Sequence, residues 1–286
     1  MANLKEIRNR ISSIGSTMKI TSAMKMVSAA KLKKASDAII QMRPYSNKLT
    51  ELLQNLSATL DSDDGGIYTK QKEIKKVLIV AITSNRGLCG GFNSAVIKEV
   101  VSISKTKYVG KEISVFTIGK KGNDILSKDF NIYKFESHVY DNLTFENTAP
   151  IAEGLMAEFA KGSFDHIEFV YNRFKNAATQ ILTQEQFLPI APAEGGNQDN
   201  TDYIFEPNKA EIVEGLIPKA LKIQLYKALR DSFASEHGAR MTAMHKATDN
   251  ATELRDDLLL AYNKARQAAI TNEILEIVGG AEALNN

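Results

Sequence analysis

The 286-residue chain has a single cysteine, Cys89, so it can form no internal disulfide. This fits a reducing compartment. No stretch approaches the roughly 18–20 consecutive apolar residues that cross a bilayer, which argues against direct membrane insertion. The opening residues, MANLKEIRNRISSIG, lack the apolar block and small-residue cleavage site of a secretory leader. They are basic and amphipathic, but they join a helical pattern that continues for dozens of residues and are expected to be mature structure. The net charge is only +2, too little to suggest bulk nucleic-acid binding.

Catalytic and cofactor signatures are also missing. No GxxxxGK[ST], HExxH, CxxC or GxSxG occurs. His138, His166, His237 and His245 show no metal-ligand spacing. Cys89 has no identifiable base partner in the sequence, so a catalytic thiol is not expected. The glycine cluster RGLCGGFN (86–93) follows an expected strand and opens an expected helix, yet it does not meet the GxGxxG spacing of a dinucleotide loop. The sequence therefore assigns no catalytic residue, no cofactor and no metal.

What is present falls into three segments. Residues 3–58 read as one long helix, with no glycine after Gly15 and only Pro44 as proline. Leu4, Ile7, Ile11, Ile14, Met18 and Thr21 recur at threes and fours. The series falters at Lys25 and resumes at Ser28, Leu32, Ala35, Ile39 and Met42. This is the narrow seam of a coiled coil rather than a broad globular face. At ~1.5 Å per residue such a helix reaches about 80 Å, and Pro44 is expected to bend it or open its hydrogen bonds locally. Asp61-Ser62-Asp63-Asp64-Gly65-Gly66 reads as a linker.

The middle segment has a different rhythm. VLIVAIT (77–83), ISVFTIG (113–119), IEFVYNRF (167–174) and QILTQEQFLPI (180–190) read as strands. Helical stretches are expected at 92–107, 120–128 and 147–161. The alternation implies an α/β layer with a largely parallel sheet, and the unbroken apolar run of VLIVAIT suits a central strand. GGNQDNTD (195–202) closes the segment as a polar loop. Residues 208–284 are helical again, with Gly215, Pro218, Gly238 and Gly279-Gly280 expected to interrupt them and Pro218 to mark a break or kink near the start. The expected fold is thus an antiparallel two-helix coiled coil from the two ends of the chain (1–60 and 205–286), with a Rossmann-like α/β domain (74–195) inserted between them. Neither terminal helix can bury its seam alone, and pairing solves the problem for both.

The two terminal helices differ in charge. Residues 1–58 hold ten Lys/Arg against three acids, net +7, whereas residues 205–286 hold ten against twelve, net −2. Part of the contrast should stabilise the pair. The surplus is either a solvated basic face or a surface for an acidic partner. TSAMKMVSAAKLKKAS (21–36) is rich in Ala, Ser, Met and Lys and poor in large anchors. That suits either close helix packing or a surface that slides past successive partner sites.

Several blocks carry a resemblance. IRNRISSIGSTMKITSAMKMVSAAKLKKA (7–35), TSNRGLCGGFN (83–93), EPNKAEIVEGLIPKAL (206–221), ASEHGARMTAMHKATDNA (234–251) and ARQAAITNEILEIVGGAEAL (265–284) resemble, in order, those of bacterial F-type ATP synthase gamma subunits. The resemblance implies a non-catalytic central-stalk rotor. It would carry torque between an ion-driven c-ring and the catalytic beta subunits, with the coiled coil inside a ring of alpha and beta subunits and the α/β domain against epsilon and the c-ring. It implies a peripheral position on the cytoplasmic side of the cell inner membrane, with a role in ATP synthesis and hydrogen ion transport. By the same resemblance, Met24 and Lys25 meet the beta lever region, as do Arg86 and Cys89. Arg266, Gln267, Thr271 and Glu273 face the interior of the head, and Tyr203 lies near the foot. No nucleic-acid partner is implied. Two readings of other classes stay open at this point: a nucleotide-binding α/β enzyme with helical extensions, and a basic coiled-coil adaptor.

Overall fold

The computed structural model describes residues 4–59, 67–69, 71–190 and 209–285. The linker expected at 61–66 and the loop expected at 195–202 lie outside the described residues. Ten principal elements follow in chain order: α1 (Leu4–Thr59), β1 (Lys76–Ile82), α2 (Phe92–Thr106), β2 (Glu112–Ile118), α3 (Lys120–Leu126), β3 (Asn131–Glu136), α4 (Phe145–Ala160), β4 (His166–Phe174), β5 (Gln180–Leu188) and α5 (Lys209–Asn285). The chain divides into two units, residues 1–28 with 241–286, and residues 29–240.

The larger unit is built on one sheet of strand order β3-β2-β1-β4-β5. β1 pairs in parallel with β2 and β4, and β2 with β3, while β5 closes the sheet as an antiparallel edge hairpin to β4. β1 is central, as its apolar run requires. Alternate residues serve opposite faces. Leu78, Val80 and Ile82 pack with Leu155 and Phe159 of α4 and with Leu221, Leu225 and Leu229 of α5. Val77, Ile79 and Ala81 pack with Val96, Val100 and Ile103 of α2 and with Leu126. The result is a three-layer α/β core. α1 joins this unit through Leu32, Ala35, Ile39 and Leu49, all buried, and Leu49 meets Ala220 and Ile223 of α5.

Two expectations need correction. Strand β3 was not anticipated. It is an edge strand whose residues are half-buried or exposed, so it carries no continuous apolar run. α5 is not interrupted and runs through Pro218 and each of its glycines. A proline forfeits one helical hydrogen bond and crowds the preceding turn, but here Ile217, Ala220 and Leu221 around it are buried in the core, and that packing outweighs the loss. Gly238 has a packing reason of its own, since a Cβ there would stand 3.1 Å from the Ala177 carbonyl oxygen. α1 is one helix with Pro44 inside it, where the missing proline N–H removes one helical hydrogen bond.

In the smaller unit the segments from the two ends pair antiparallel. Arg8 donates to the Tyr262 hydroxyl at 3.2 Å, Thr252 meets Met18 Sδ at 3.3 Å, and the hydroxyls of Thr21 and Thr248 share a 2.7 Å hydrogen bond. As one residue number rises its partner's falls. Ile7 and Thr21 are buried in this seam, as is Met244 from α5, as the heptad-like spacing requires.

Candidate partner-contact site

In open α/β sheets ligands bind beyond the carboxyl ends of the strands, where the strand order reverses. Here that point lies between β1, followed by β2 on one side, and β4 on the other. The loop after β1, Thr83 to Gly91, occupies it. Ser84 anchors the loop: its hydroxyl donates to the Arg86 carbonyl at 2.7 Å, and its backbone N–H donates to Asn93 Oδ1 at 2.9 Å. Asn85 ties the outer part, donating to the Ser137 carbonyl and accepting from the Lys120 N–H. Gly119 and Gly122 let the neighbouring chain approach Thr83, where a Cβ would clash at 2.2 Å and 2.7 Å.

The crevice is filled by protein. Arg240 of α5 donates through Nη2 to the carbonyls of Arg86 at 3.0 Å and Gly87 at 3.3 Å. Its other side binds Glu236 at 2.6 Å, one helical turn back. At the end of β4, Asp231 of α5 accepts from the Phe174 N–H at 3.3 Å and pairs with Arg43 of α1 at 2.7 Å, while Arg43 also donates to the Phe174 carbonyl. A phosphate loop offers N–H groups to an anion. This loop turns carbonyls toward a guanidinium, the opposite polarity, and Gly91 at the N-cap of α2 supplies no side-chain cap.

Burial and charge shape this corner electrically. Burial pushes the Glu236 carboxyl up, against the pull of Arg240, Lys31 and Arg86. Burial, with Arg240 and Lys31 adding to it, pushes His237 down to about 4, so the imidazole is neutral near pH 7. Cys89, 1 % exposed, is pushed up by burial and packs with Phe92 and Ala239. A raised pKa means little thiolate and low reactivity.

In the smaller unit, extending the antiparallel register sets Leu4 opposite residue 266, so α5 beyond about 267 runs past the first described residue of α1. Ile270, Ile274, Leu275, Ile277 and Val278 are all exposed there. No group of His, Cys, Asp or Glu among the described residues could hold a metal. Among them, too, no helix is long and apolar enough to cross a membrane.

Residues 3–284 match the ATP synthase family profile. The ATP synthase gamma chain of Flavobacterium psychrophilum is 71% identical over 285 residues, covering 99% of each chain. That of Flavobacterium johnsoniae is 69% identical over the whole of both. The chain belongs to the ATP synthase gamma chain family. Its fold matches a chain in a cryo-EM structure of the Euglena gracilis mitochondrial ATP synthase (OSCP, F1 and c-ring), with a TM-score of 0.71 at 21% identity, covering 98% of this chain and 94% of that one. It also matches a chain of the central stalk and c-ring of the Tetrahymena thermophila mitochondrial enzyme, at a TM-score of 0.60 and 25% identity, covering 80% of this chain and 99% of that one. This is the family of the stalk subunit of the complex, a non-catalytic chain.

The residues singled out in the sequence are scattered in this chain. Met24 and Lys25 are half-buried on α1. Arg266, Gln267, Thr271 and Glu273 are exposed near the end of α5. Arg86 is exposed on the β1 loop, where Cys89 lies beneath the surface. Tyr203 lies outside the described residues. Sequence reasoning missed Arg240, Glu236, Asp231, Arg43 and Leu88. The first two left one signal, an acid and an arginine four apart in ASEHGAR, the spacing of a helical ion pair.

Proposed function

We propose that the chain is the rotor of a bacterial F-type ATP synthase. Its paired terminal helices stand inside a ring of alternating alpha and beta subunits, and its sheet unit lies against epsilon and the c-ring. It is peripheral to the inner membrane on the cytoplasmic side, and ion flow through the c-ring turns it. The reading divides the chain into a first helix (1–60), an α/β domain (74–195) and a last helix (205–286). Met24, Lys25, Arg86, Arg266, Gln267, Thr271 and Glu273 meet the head, with Cys89 supporting the loop from below and Tyr203 near the foot.

The physics is differential contact. A ligand shifts an equilibrium only through unequal affinity for its states. The shaft acts as that ligand, and turning it changes which beta subunit meets which face. One observation carries the reading: five large apolar side chains, Ile270 to Val278, are exposed on the last turns of α5 beyond its partner segment. Such a stripe on a helix is a contact surface awaiting cover. The carbonyl-lined, arginine-filled crevice speaks against the nucleotide-enzyme alternative.

The test is assembly. The chain, co-expressed with cognate alpha and beta subunits and carrying a gold bead on its sheet unit, is expected to rotate unidirectionally on ATP addition. A head that forms and hydrolyses ATP without this chain bound, or a bead that never turns, would defeat the reading.

A further inference from the structure

Asp231 of α5 is fully buried where three elements meet. Its Oδ1 accepts from the Phe174 N–H at the end of β4, at 3.3 Å, and from Arg43 of α1 at 2.7 Å. Arg43 returns to β4 by donating to the Phe174 carbonyl. The other oxygen, Oδ2, is buried without a hydrogen-bond partner among the described residues. Burial pushes the carboxyl up, against the pull of Arg43 and the Phe174 N–H. A buried ion pair with an orphaned oxygen is a poor way to stabilise a fold, and a well-packed apolar pair does as well or better. What the junction adds is direction. The remaining contact of α5 with the sheet is made by Leu221, Leu225, Ala228 and Leu229, and such apolar packing is non-directional. Polar groups pin it at two places. One pin is Asp231. At the other, Gln224 donates to Glu185 Oε1 at 2.9 Å and to the Gln186 carbonyl at 3.0 Å on β5, and the Tyr171 hydroxyl of β4 donates to Glu185 Oε2 at 2.6 Å. The pins stand about 10 Å apart along the helix, enough to fix its direction as well as its position. Of the two, the Asp231 pin is the one that reaches α1.

We propose that Arg43 and Asp231 are positioning residues for torque: their junction ties both long helices to the end of β4, so that a turning force on the sheet enters α1 and α5 together. The proposal rests on the rotor reading and adds the point at which the sheet grips the shaft. A force that turns the sheet pushes sideways on the helices. Apolar packing resists separation more than sliding, whereas hydrogen bonds weaken steeply when their angle changes and so resist both. Without the tie α5 would be driven directly, and α1 would follow through apolar contacts such as Leu49 against Ala220 and Ile223. The guanidinium suits the task because its planar fork reaches a carboxylate and a carbonyl at once, which an ammonium does poorly.

The experiment uses the assembled alpha–beta–gamma complex, paused without ATP, with a bead on α2 of the sheet unit. The angular fluctuation of the bead reads torsional stiffness, and the urea midpoint of the isolated chain reads stability. The variants are Arg43→Met, Arg43→Lys and the Arg43→Met/Asp231→Asn double variant. Arg43→Met strands a buried carboxylate, so it should lower the midpoint as well as widen the fluctuation. The double variant removes the stranded charge, and the Asn oxygen can still accept from the Phe174 N–H. Its midpoint should return close to the parent value, while the mean-square fluctuation stays about twofold larger, because one helix of two is then driven directly. Arg43→Lys restores an ion pair without the bridge and should give a fluctuation between parent and double variant. A pair that serves stability alone would move the midpoint and not the stiffness. Parent-like fluctuation in the double variant therefore overturns the proposal, whatever its midpoint. Should Arg43→Met not fold, the double variant and Arg43→Lys still decide the matter. Failure of the unaltered chain to assemble, or to turn the bead when ATP is added, would instead sink the rotor reading beneath it.

Discussion

In the unit built on the sheet, β1 is buried from Val77 to Ile82, both sheet faces are covered by helices, and even the charges are enclosed: Glu168 is 1 % exposed beneath Lys107 and Tyr108, and Asp231 is bound to Arg43 and the β4 backbone. In the unit built from the chain's two ends, a seam of Ile7, Thr21 and Met244 is buried, while Ile20, Met26 and Val27 on α1 and Ile270 to Val278 on α5 face outward. The first unit satisfies its apolar surface internally. The second leaves much of its own for other chains. Stability should therefore be concentrated in the sheet unit, and substitutions in the paired ends should register in assembly more than in folding.

The largest expected effect tests the sheet. Phe169 is fully buried and stacks on Phe187, with ring centroids 4.6 Å apart. Phe169→Ala should cost about 3–5 kcal/mol, transfer plus cavity, read as a drop in the urea midpoint of the isolated chain. A cost under about 1 kcal/mol would mean that the sheet unit is not the stable half.

His237 supplies the next effect, with a defined sign. Its folded pKa is about 4, below the ~6.5 of an unfolded imidazole. Between those values the unfolded chain holds the extra proton, so stability present above about pH 6.5 is lost as pH falls toward 4. The size is on the order of 3 kcal/mol. Glu236, raised by burial, works in the opposite direction, and Lys31, Arg86 and Arg240 face the same corner. The measurement is therefore the difference between the parent and His237→Leu, which should flatten below pH 4. A difference that stays level from pH 7 to 4 would show that the imidazole is not held neutral.

How much of this was legible beforehand follows burial. VLIVAIT and ISVFTIG gave their strands away because a central parallel strand must be apolar on both faces. Asn131–Glu136 did not, because an edge strand with Tyr133, Lys134 and Phe135 exposed has no such run. Pro218 reads as an interruption by local propensity alone, and the core that Ile217 and Leu221 enter overrides it. The paired ends were legible from their seam, since a heptad-like spacing states its own partner requirement. The Arg240 clamp was not, because its carbonyl partner at Arg86 lies 154 residues upstream. Only the Glu236–Arg240 spacing hinted at a pair, not at its purpose.

A smaller effect belongs to the paired ends. Thr21 and Thr248 share a hydroxyl bond across the seam, and with one proton each only the accepting partner can also donate to its own helix carbonyl, Met18 or Met244. Thr21→Val keeps the shape and removes the bond, and Thr248 can then donate to the Met244 carbonyl. The expected cost is about 0.5–1 kcal/mol, seen as faster amide exchange near residues 18–25 with the urea midpoint unmoved. Faster exchange of the sheet amides as well would contradict the separation of the two units.

The smallest effect on folding should be the most telling for assembly. Ile277 is 71 % exposed, so Ile277→Ser removes almost no burial from the isolated chain and should shift its stability by less than about 0.5 kcal/mol. In the assembled head the same side chain would be covered, and trading a buried isoleucine for a hydroxyl loses apolar transfer and strands a polar group. A lowered affinity for the alpha–beta ring, measured by dissociation of the labelled chain, should therefore appear with an unchanged urea curve. If both quantities fall together, the stripe is part of this chain's own core. If neither moves, it meets no partner, and the end of α5 must be explained some other way.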